Sequence, residues 1–272
     1  MTRHSAYLSL AGLFVAGLVG VAGAQSSAST ARAAPVSHTP NRTAAKPTIV
    51  LVHGAFADGT GWQHVIPLLE RDGYDVIAVQ NPLTSLSADV ETTKRVIDAQ
   101  QGPVVVVGHS YGGAVITEAA AGSPRVKALV YIAAFAPEAG EPIGAFGDKY
   151  PTALGSALKP DAAGFLYVDR ARFRDVFAKD VSPTEASVMA AAQKPLIGSV
   201  FGASVKAVAW KTIPSWYLVT QKDQAINPDL ERFYAKRMGA KSVEVSSSHA
   251  VFVSHPTDVA RIIEQAATAP AK

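Results

Sequence analysis

The sequence predicts an α/β fold, a mostly parallel sheet with helices on both faces. Three observations predict it. From residue 47 onward, short continuous apolar runs alternate with helical segments, which is the pattern of strands buried on both faces. The strongest of these runs, PVVVV at 103–107, is β-branched after its proline. It leads directly into a glycine-flanked turn, GHSYGG, and then into a helix of small residues, so strand, turn and helix follow without a linker.

The elements follow in order. PTIVLV at 47–52 is an apolar run that ends at His53-Gly54, as a buried strand does. Residues 62–71 place Trp62, Val65, Ile66, Leu68 and Leu69 at helical spacing, and Asp72-Gly73 stops the helix. Residues 75–79 form a short strand. Residues 87–101 form an amphipathic helix with Ser87 as its cap and Val90, Val96 and Ile97 inward. The strand at 103–107, the small-residue helix at 111–121 and the strand at 126–135 come next. Strand, helix and strand repeat at 215–220, 228–238 and 241–245, and a helix at 257–267 closes the series. The alternation breaks between 137 and 210, where a turn-rich stretch, the aromatic FLYVDRARFRDVF and the helical PTEASVMAAAQ read as an insertion on top of the sheet.

The N-terminal region differs from this body. Arg3 and His4 precede an uncharged apolar run, AYLSLAGLFVAGLVGVA, and Ala22-Gly23-Ala24 supplies a small-residue processing site. That is the layout of a secretory signal peptide over residues 1–24, cleaved after about Ala24, which leads to a periplasmic or secreted protein with no stable membrane anchor after processing. Residues 25–46 are Ser, Ala, Thr and Pro with almost no large apolar side chain, the composition of a flexible linker. One domain, 47–272, remains.

Composition narrows the chemistry. The chain has no cysteine, which excludes a disulfide framework, a thiol nucleophile and thiolate metal sites. Its net charge of +3 arises before residue 47, where Arg3, Arg32, Arg42 and Lys46 face no acidic residue. The rest carries 21 of the 25 basic residues against 22 acidic ones. A nearly neutral body without a basic, aromatic-interleaved stripe gives no footprint for nucleic acid.

Gly108-His109-Ser110-Tyr111-Gly112 reads G-x-S-x-G in the strand–turn–helix setting that gives this motif its meaning. The turn holds the Ser110 hydroxyl above the sheet, and the helix that follows points its N-terminus at developing negative charge. A serine becomes a nucleophile when a base takes its proton, and an acid orients the base. The motif's order is serine, acid, histidine, each after a later strand. Asp223 in TQKDQAI follows the strand at 215–220 and is preferred to Asp229, which reads as a first-turn helix residue. His249 in SSSHAVF follows the strand at 241–245 and is preferred to His255, which reads as part of a helix start. Backbone N–H groups of Ala55 and Tyr111 are the candidate oxyanion donors. Phe56, next in the same loop, is the candidate substrate contact.

VLVHGAFADGTGW, VVVVGHSYGG, TQKDQAI and SSSHAVFVSHP, in that order, resemble the α/β-hydrolase superfamily, with the resemblance covering residues 47–267. The chain is most similar to small bacterial hydrolases related to the plant methylesterase and hydroxynitrile-lyase group. That resemblance implies a core of about six strands and a helical cap at about 137–210. It implies Ser110 as nucleophile, Asp223 as acid, His249 as base, Ala55 and Tyr111 as oxyanion donors, and no metal or organic cofactor. Cap aromatics Phe146, Phe165, Tyr167, Phe173 and Phe177 are candidates to line an apolar pocket or to form the cap's own core. Three departures bear on activity. Ala250 stands where the hydroxynitrile lyases carry lysine, and His53-Gly54-Ala55 lacks their threonine. Tyr111 replaces the methionine usual in the cofactor-free haloperoxidase-like branch. Ser110 itself argues against the aspartate-nucleophile dehalogenases and epoxide hydrolases. The expectation is an exported serine esterase acting on small-molecule esters. The same machinery would serve amides, lactones or carbon–carbon bonds, and a low-turnover ligand-binding protein is the alternative outside catalysis.

Overall fold

A computed structural model of the chain describes residues 46–270. The expected signal peptide, and all of the expected linker except Lys46, lie outside the described residues.

The body is a six-stranded sheet in the order β2-β1-β3-β4-β8-β9, with every pairing parallel. Its strands are β1 (Thr48–Val52), β2 (Val76–Val79), β3 (Val104–His109), β4 (Val126–Ile132), β8 (Ser215–Thr220) and β9 (Lys241–Val245). Between β4 and β8 lie β5 (Leu158–Pro160), β6 (Phe165–Val168) and β7 (Leu196–Ile197). The central strands β3 and β8 are buried along their whole length, which explains why their sequences do not alternate. β9 is an edge strand and mostly exposed. A bidentate contact from Arg232 to Glu244, at 2.9 and 2.8 Å, ties its outer face to the neighbouring helix.

The helices are α1 (Ile66–Arg71), α2 (Leu86–Asp98), α3 (Tyr111–Ala119), α4 (Arg170–Phe177), α5 (Pro183–Ala192), α6 (Pro228–Met238), α7 (Val251–Ser254) and α8 (Pro256–Thr268). The strand, helix and strand at 215–245 agree with the sequence reading residue for residue. Elsewhere the boundaries move for local reasons. The single helix expected over 62–71 is a 3₁₀ turn, Gly59–His64, followed by α1. Pro67 lacks an N–H and suits a first helical turn, so the α-helix starts there. The cap of α2 is Ser85, which has an extended backbone and whose Oγ accepts the Ala88 N–H at 3.1 Å, and Ser87 falls inside the first turn.

α3 runs under the middle of the sheet, and all of it except Glu118 is buried. Its small residues permit that approach. A Cβ on Gly112 would lie 2.6 Å from the Val52 carbonyl oxygen and 2.7 Å from that of His53, so a side chain there would push α3 off β1.

The insertion carries helices as expected, but it is not purely helical. β5, β6 and β7 form a three-stranded antiparallel sheet beside α4 and α5. Its aromatics divide. Phe173 and Phe177 are fully buried and stack with ring centroids 5.0 Å apart. Tyr167 is exposed on β6, and Phe146 faces the cavity described below.

Candidate active site

The site lies at the carboxyl ends of the strands, where an open parallel sheet presents its loops. Ser110 sits between β3 and α3 with φ 55° and ψ −125°, a conformation that L-residues rarely adopt. Three backbone hydrogen bonds over-determine it. Ser110 N–H donates to Ile132 O (3.1 Å), and Ser110 O accepts from Gly113 (3.0 Å) and Phe135 (3.1 Å). Gly54 packs against its side chain so closely that a Cβ there would lie 2.6 Å from Ser110 Cβ.

Asp223 follows β8 and is buried. Its Oδ1 accepts from the N–H groups of Ala225 (2.6 Å) and Ile226 (2.9 Å), and its Oδ2 accepts from Thr220 Oγ1 (3.0 Å) and His249 Nδ1 (2.5 Å). The last contact orients the imidazole with Nδ1 toward the acid and leaves Nε2 for the cavity. His249 is 1% exposed. Phe177 meets its ring edge to face at 4.8 Å, and His109 packs at 4.6 Å. Two further bonds fix the loop that carries it. Ala250 N–H donates to Phe177 O (2.9 Å), and His249 O accepts from His109 Nε2 (3.0 Å). The cap therefore helps to hold the histidine.

Ala55, Phe56, Ser110, Tyr111 and His249 line one cavity of about 50 Å³. The structure thus brings together four of the predicted site residues and the Phe56 contact, with Asp223 directly behind His249. Ser110 Oγ makes no hydrogen bond among the described residues, and contacts of this kind often tighten only when substrate is bound. Among the same residues, neither the Ala55 nor the Tyr111 N–H donates to a protein acceptor, so both remain available to an oxyanion. Phe56 has a positive φ of 60°, and its N–H donates to Lys194 O of the cap at 3.1 Å, which fixes the turn after Ala55. The Tyr111 hydroxyl points away from the cavity and donates to Asp89 Oδ2 at 2.7 Å.

The remaining histidines separate cleanly. His64 is exposed and pairs with Glu185 at 2.8 Å. His255 caps α8 beside Asp180. His53 is buried in the turn after β1, and burial lowers its pKa to about 4. Burial and the nearby His249 hold His109 well below the usual imidazole range. Asp229 is exposed in the first turn of α6 and pairs with Arg232.

A second cavity of about 380 Å³ adjoins the first, sharing Phe135, Leu154, Phe201, Ala225 and Ile226. Ile143, Phe146, Tyr150, Leu158 and Leu230 extend it, and no charged residue lines it. Of the five cap aromatics expected, only Phe146 reaches it. Phe173 and Phe177 went to the cap core, and Phe165 and Tyr167 to β6. Sequence reading missed Phe135, Tyr150, Phe201 and Ile226 as cavity residues: the strand expected over 126–135 ends at Ile132 and leaves Phe135 in the loop beyond it, Phe201 lies in a 3₁₀ turn, and Tyr150 and Ile226 lie in bends. It also missed Thr220 and Glu231 behind Asp223. The burial of Glu231, though not its role, has a sequence signal, because it shares the inward face of α6 with Leu230, Tyr234 and Ala235.

Comparison with known proteins agrees with the fold. A pyrethroid hydrolase of Sphingobium wenxiniae is 29% identical over 258 residues, covering 82% of this chain and 89% of its own. Methylesterase 8 of Arabidopsis thaliana is 25% identical over 215 residues, covering 69% and 76%. The crystal structure of a pyrethroid hydrolase from Sphingobium faniae superposes with a TM-score of 0.70 at 25% identity, over 82% of this chain and 98% of that one. The alpha/beta hydrolase family matches residues 49–262. The chain belongs to the alpha/beta hydrolase family, as a hydrolase alongside its esterases and methylesterases.

Proposed function

We propose that the protein is a serine esterase that cleaves uncharged carboxylic esters through an acyl-enzyme. The observation that carries the proposal is the 2.5 Å bond from buried His249 to Asp223, in a site whose cavity also holds the strained Ser110. Ser110 Oγ attacks the ester carbonyl carbon while His249 Nε2 takes its proton. Asp223 stabilises the imidazolium that forms. Negative charge on the carbonyl oxygen is met by the N–H groups of Ala55 and Tyr111, each such donor being worth about 3–4 kcal/mol in the barrier. The imidazolium returns its proton to the leaving alcohol. Water, deprotonated by the same nitrogen, then releases the acid and restores Ser110.

The adjoining 380 Å³ cavity supports a substrate with one bulky apolar group, because its lining is mainly aromatic and aliphatic, with Thr152 and Asn227 polar and no charged residue. The pyrethroid hydrolase among the relatives fits that reading. The test is Ser110→Ala assayed with p-nitrophenyl esters of increasing acyl length. Hydrolysis falls to background if the proposal holds, and retained hydrolysis would overturn it. We also propose that the protein is exported, on the strength of its first 24 residues. N-terminal sequencing of the mature protein from the native cell tests this, with Gln25 expected as the first residue.

A further inference from the structure

We propose that Glu231 is a positioning residue of this site, a neutral carboxylic acid that turns the Thr220 hydroxyl toward Asp223. The inference rests on the esterase reading for its kinetic consequences and on hydrogen-bond counting for its chemistry.

Glu231 lies on the inner face of α6 and is 0% exposed. Thr220, the last residue of β8, stands between two carboxyl groups. Its Oγ1 is 2.9 Å from Glu231 Oε1 and 3.0 Å from Asp223 Oδ2. A threonine hydroxyl has one hydrogen. If both carboxyls were ionised, one of these two contacts would set oxygen lone pairs against each other at a fully buried position. One of the carboxyls therefore carries a proton.

The donor count says which. Asp223 receives four hydrogen bonds, from Ala225, Ile226, Thr220 and His249, and these fill the acceptor positions of a carboxylate. Apart from the shared hydroxyl, Glu231 receives one, from the Thr220 N–H to Oε2 at 2.8 Å. Asp223 is therefore the anion and Glu231 the acid. The chain runs from Glu231 Oε1–H to Thr220 Oγ1, and from Thr220 Oγ1–H to Asp223 Oδ2, the atom that also receives His249 Nδ1–H. Burial and the neighbouring Asp223 act in the same sense, pushing the Glu231 carboxyl well above its ordinary range. Tyr217 of β8 lies close enough for the Glu231 charge to act on its hydroxyl, and no lysine or arginine pairs with Glu231 among the described residues. One negative charge, not two, then lies behind the histidine.

The test uses full-length wild type, Glu231→Gln, Glu231→Ala and Thr220→Val. A glutamine reproduces the neutral acid, since its amide N–H₂ can donate to Thr220 Oγ1 while its oxygen accepts from Thr220 N–H. The infrared difference between wild type and Glu231→Gln at neutral pH should contain the carbonyl band of a protonated carboxyl. Glu231→Gln should keep kcat/KM within about threefold, with the acid limb of its pH profile unmoved. Glu231→Ala and Thr220→Val should lower kcat by about tenfold or more while changing KM by less than about twofold. Absence of the infrared band would overturn the proposal. So would an acid limb in Glu231→Gln displaced to lower pH, which is the result expected if a second anion had been removed. Failure of the esterase reading would appear in Ser110→Ala and would leave the infrared band untouched.

Discussion

Stability of this protein should fall between neutral pH and pH 5 because of His53, a residue that takes no part in the proposed chemistry. Its ring closes the turn that carries Ala55. Nδ1 contacts Gly54 O at 2.9 Å and must be the donor, while Nε2 accepts the Asn81 N–H at 3.1 Å. The second contact requires the neutral imidazole, because a protonated Nε2 cannot accept. Burial sets its folded pKa at about 4, against an ordinary 6.5. Between those values the unfolded chain binds a proton that the folded protein refuses, so stability is lost as pH falls from about 6.5 to about 4. The full difference corresponds to about 3 kcal/mol, and about 2 kcal/mol of it falls between pH 7 and pH 5. The perturbation is His53→Gln, whose amide can make both contacts without titrating. The assay is urea unfolding of wild type and variant at pH 7 and pH 5. Wild type should lose about 2 kcal/mol more than the variant, or about 4–8 °C in Tm for a domain of this size. His109 shifts in the same direction in both proteins, and because burial, the main cause of its shift, is common to them, its contribution largely cancels. An equal loss in the two proteins would show that His53 does not set the pH dependence.

Further outcomes follow from the same contacts. His249→Ala should lower kcat by about 10⁴ in ester hydrolysis, whereas His255→Ala should stay within about threefold, which steady-state kinetics on both variants will decide. Tyr111→Phe strips a hydrogen bond from buried Asp89, so urea denaturation should show a loss of about 1–3 kcal/mol while kcat, which needs only the backbone N–H, is kept. Gly112→Ala sets a methyl against two backbone carbonyls that cannot yield, and thermal unfolding should register about 1–3 kcal/mol or failure to fold. Ile226→Trp fills the junction of the two cavities. KM for long-chain or aromatic esters should rise, and acetate esters should be little affected.

Much of this architecture is legible in the sequence because it depends on local signals. PVVVV followed by GHSYGG predicts β3, the turn at Ser110 and α3, since a β-branched run, a glycine-flanked serine and small residues each have a short-range physical meaning. Asp223 and His249 are found by their order after strands. What the sequence leaves open is partly fine backbone geometry at helix starts and partly contacts distant along the chain. The choice between Ser85 and Ser87 as a cap turns on which residue is extended, and Pro67 reads as one residue within a helical pattern until the 3₁₀ turn before it is seen. LKP, FLYV and LI become strands only because they pair with one another. Of the cap aromatics, only Phe165 and Tyr167 lie on that small sheet, whereas α4 carries Phe173 and Phe177 into the cap core and Phe146 sits in a turn. Glu231 is hidden for the opposite reason. Its helical position is inward, but a glutamate is ordinarily read as facing solvent, and only the Thr220 and Asp223 contacts show what it serves.

The central claim is that Ser110, deprotonated by His249, attacks an acyl carbon. The most direct measurement is labelling of the folded protein with a fluorophosphonate, with the adduct located by peptide mass spectrometry. The account predicts one adduct, on Ser110, formed rapidly in wild type and lost in both Ser110→Ala and His249→Ala. A folded wild-type protein that takes up no label, or takes it up at another residue, would contradict it.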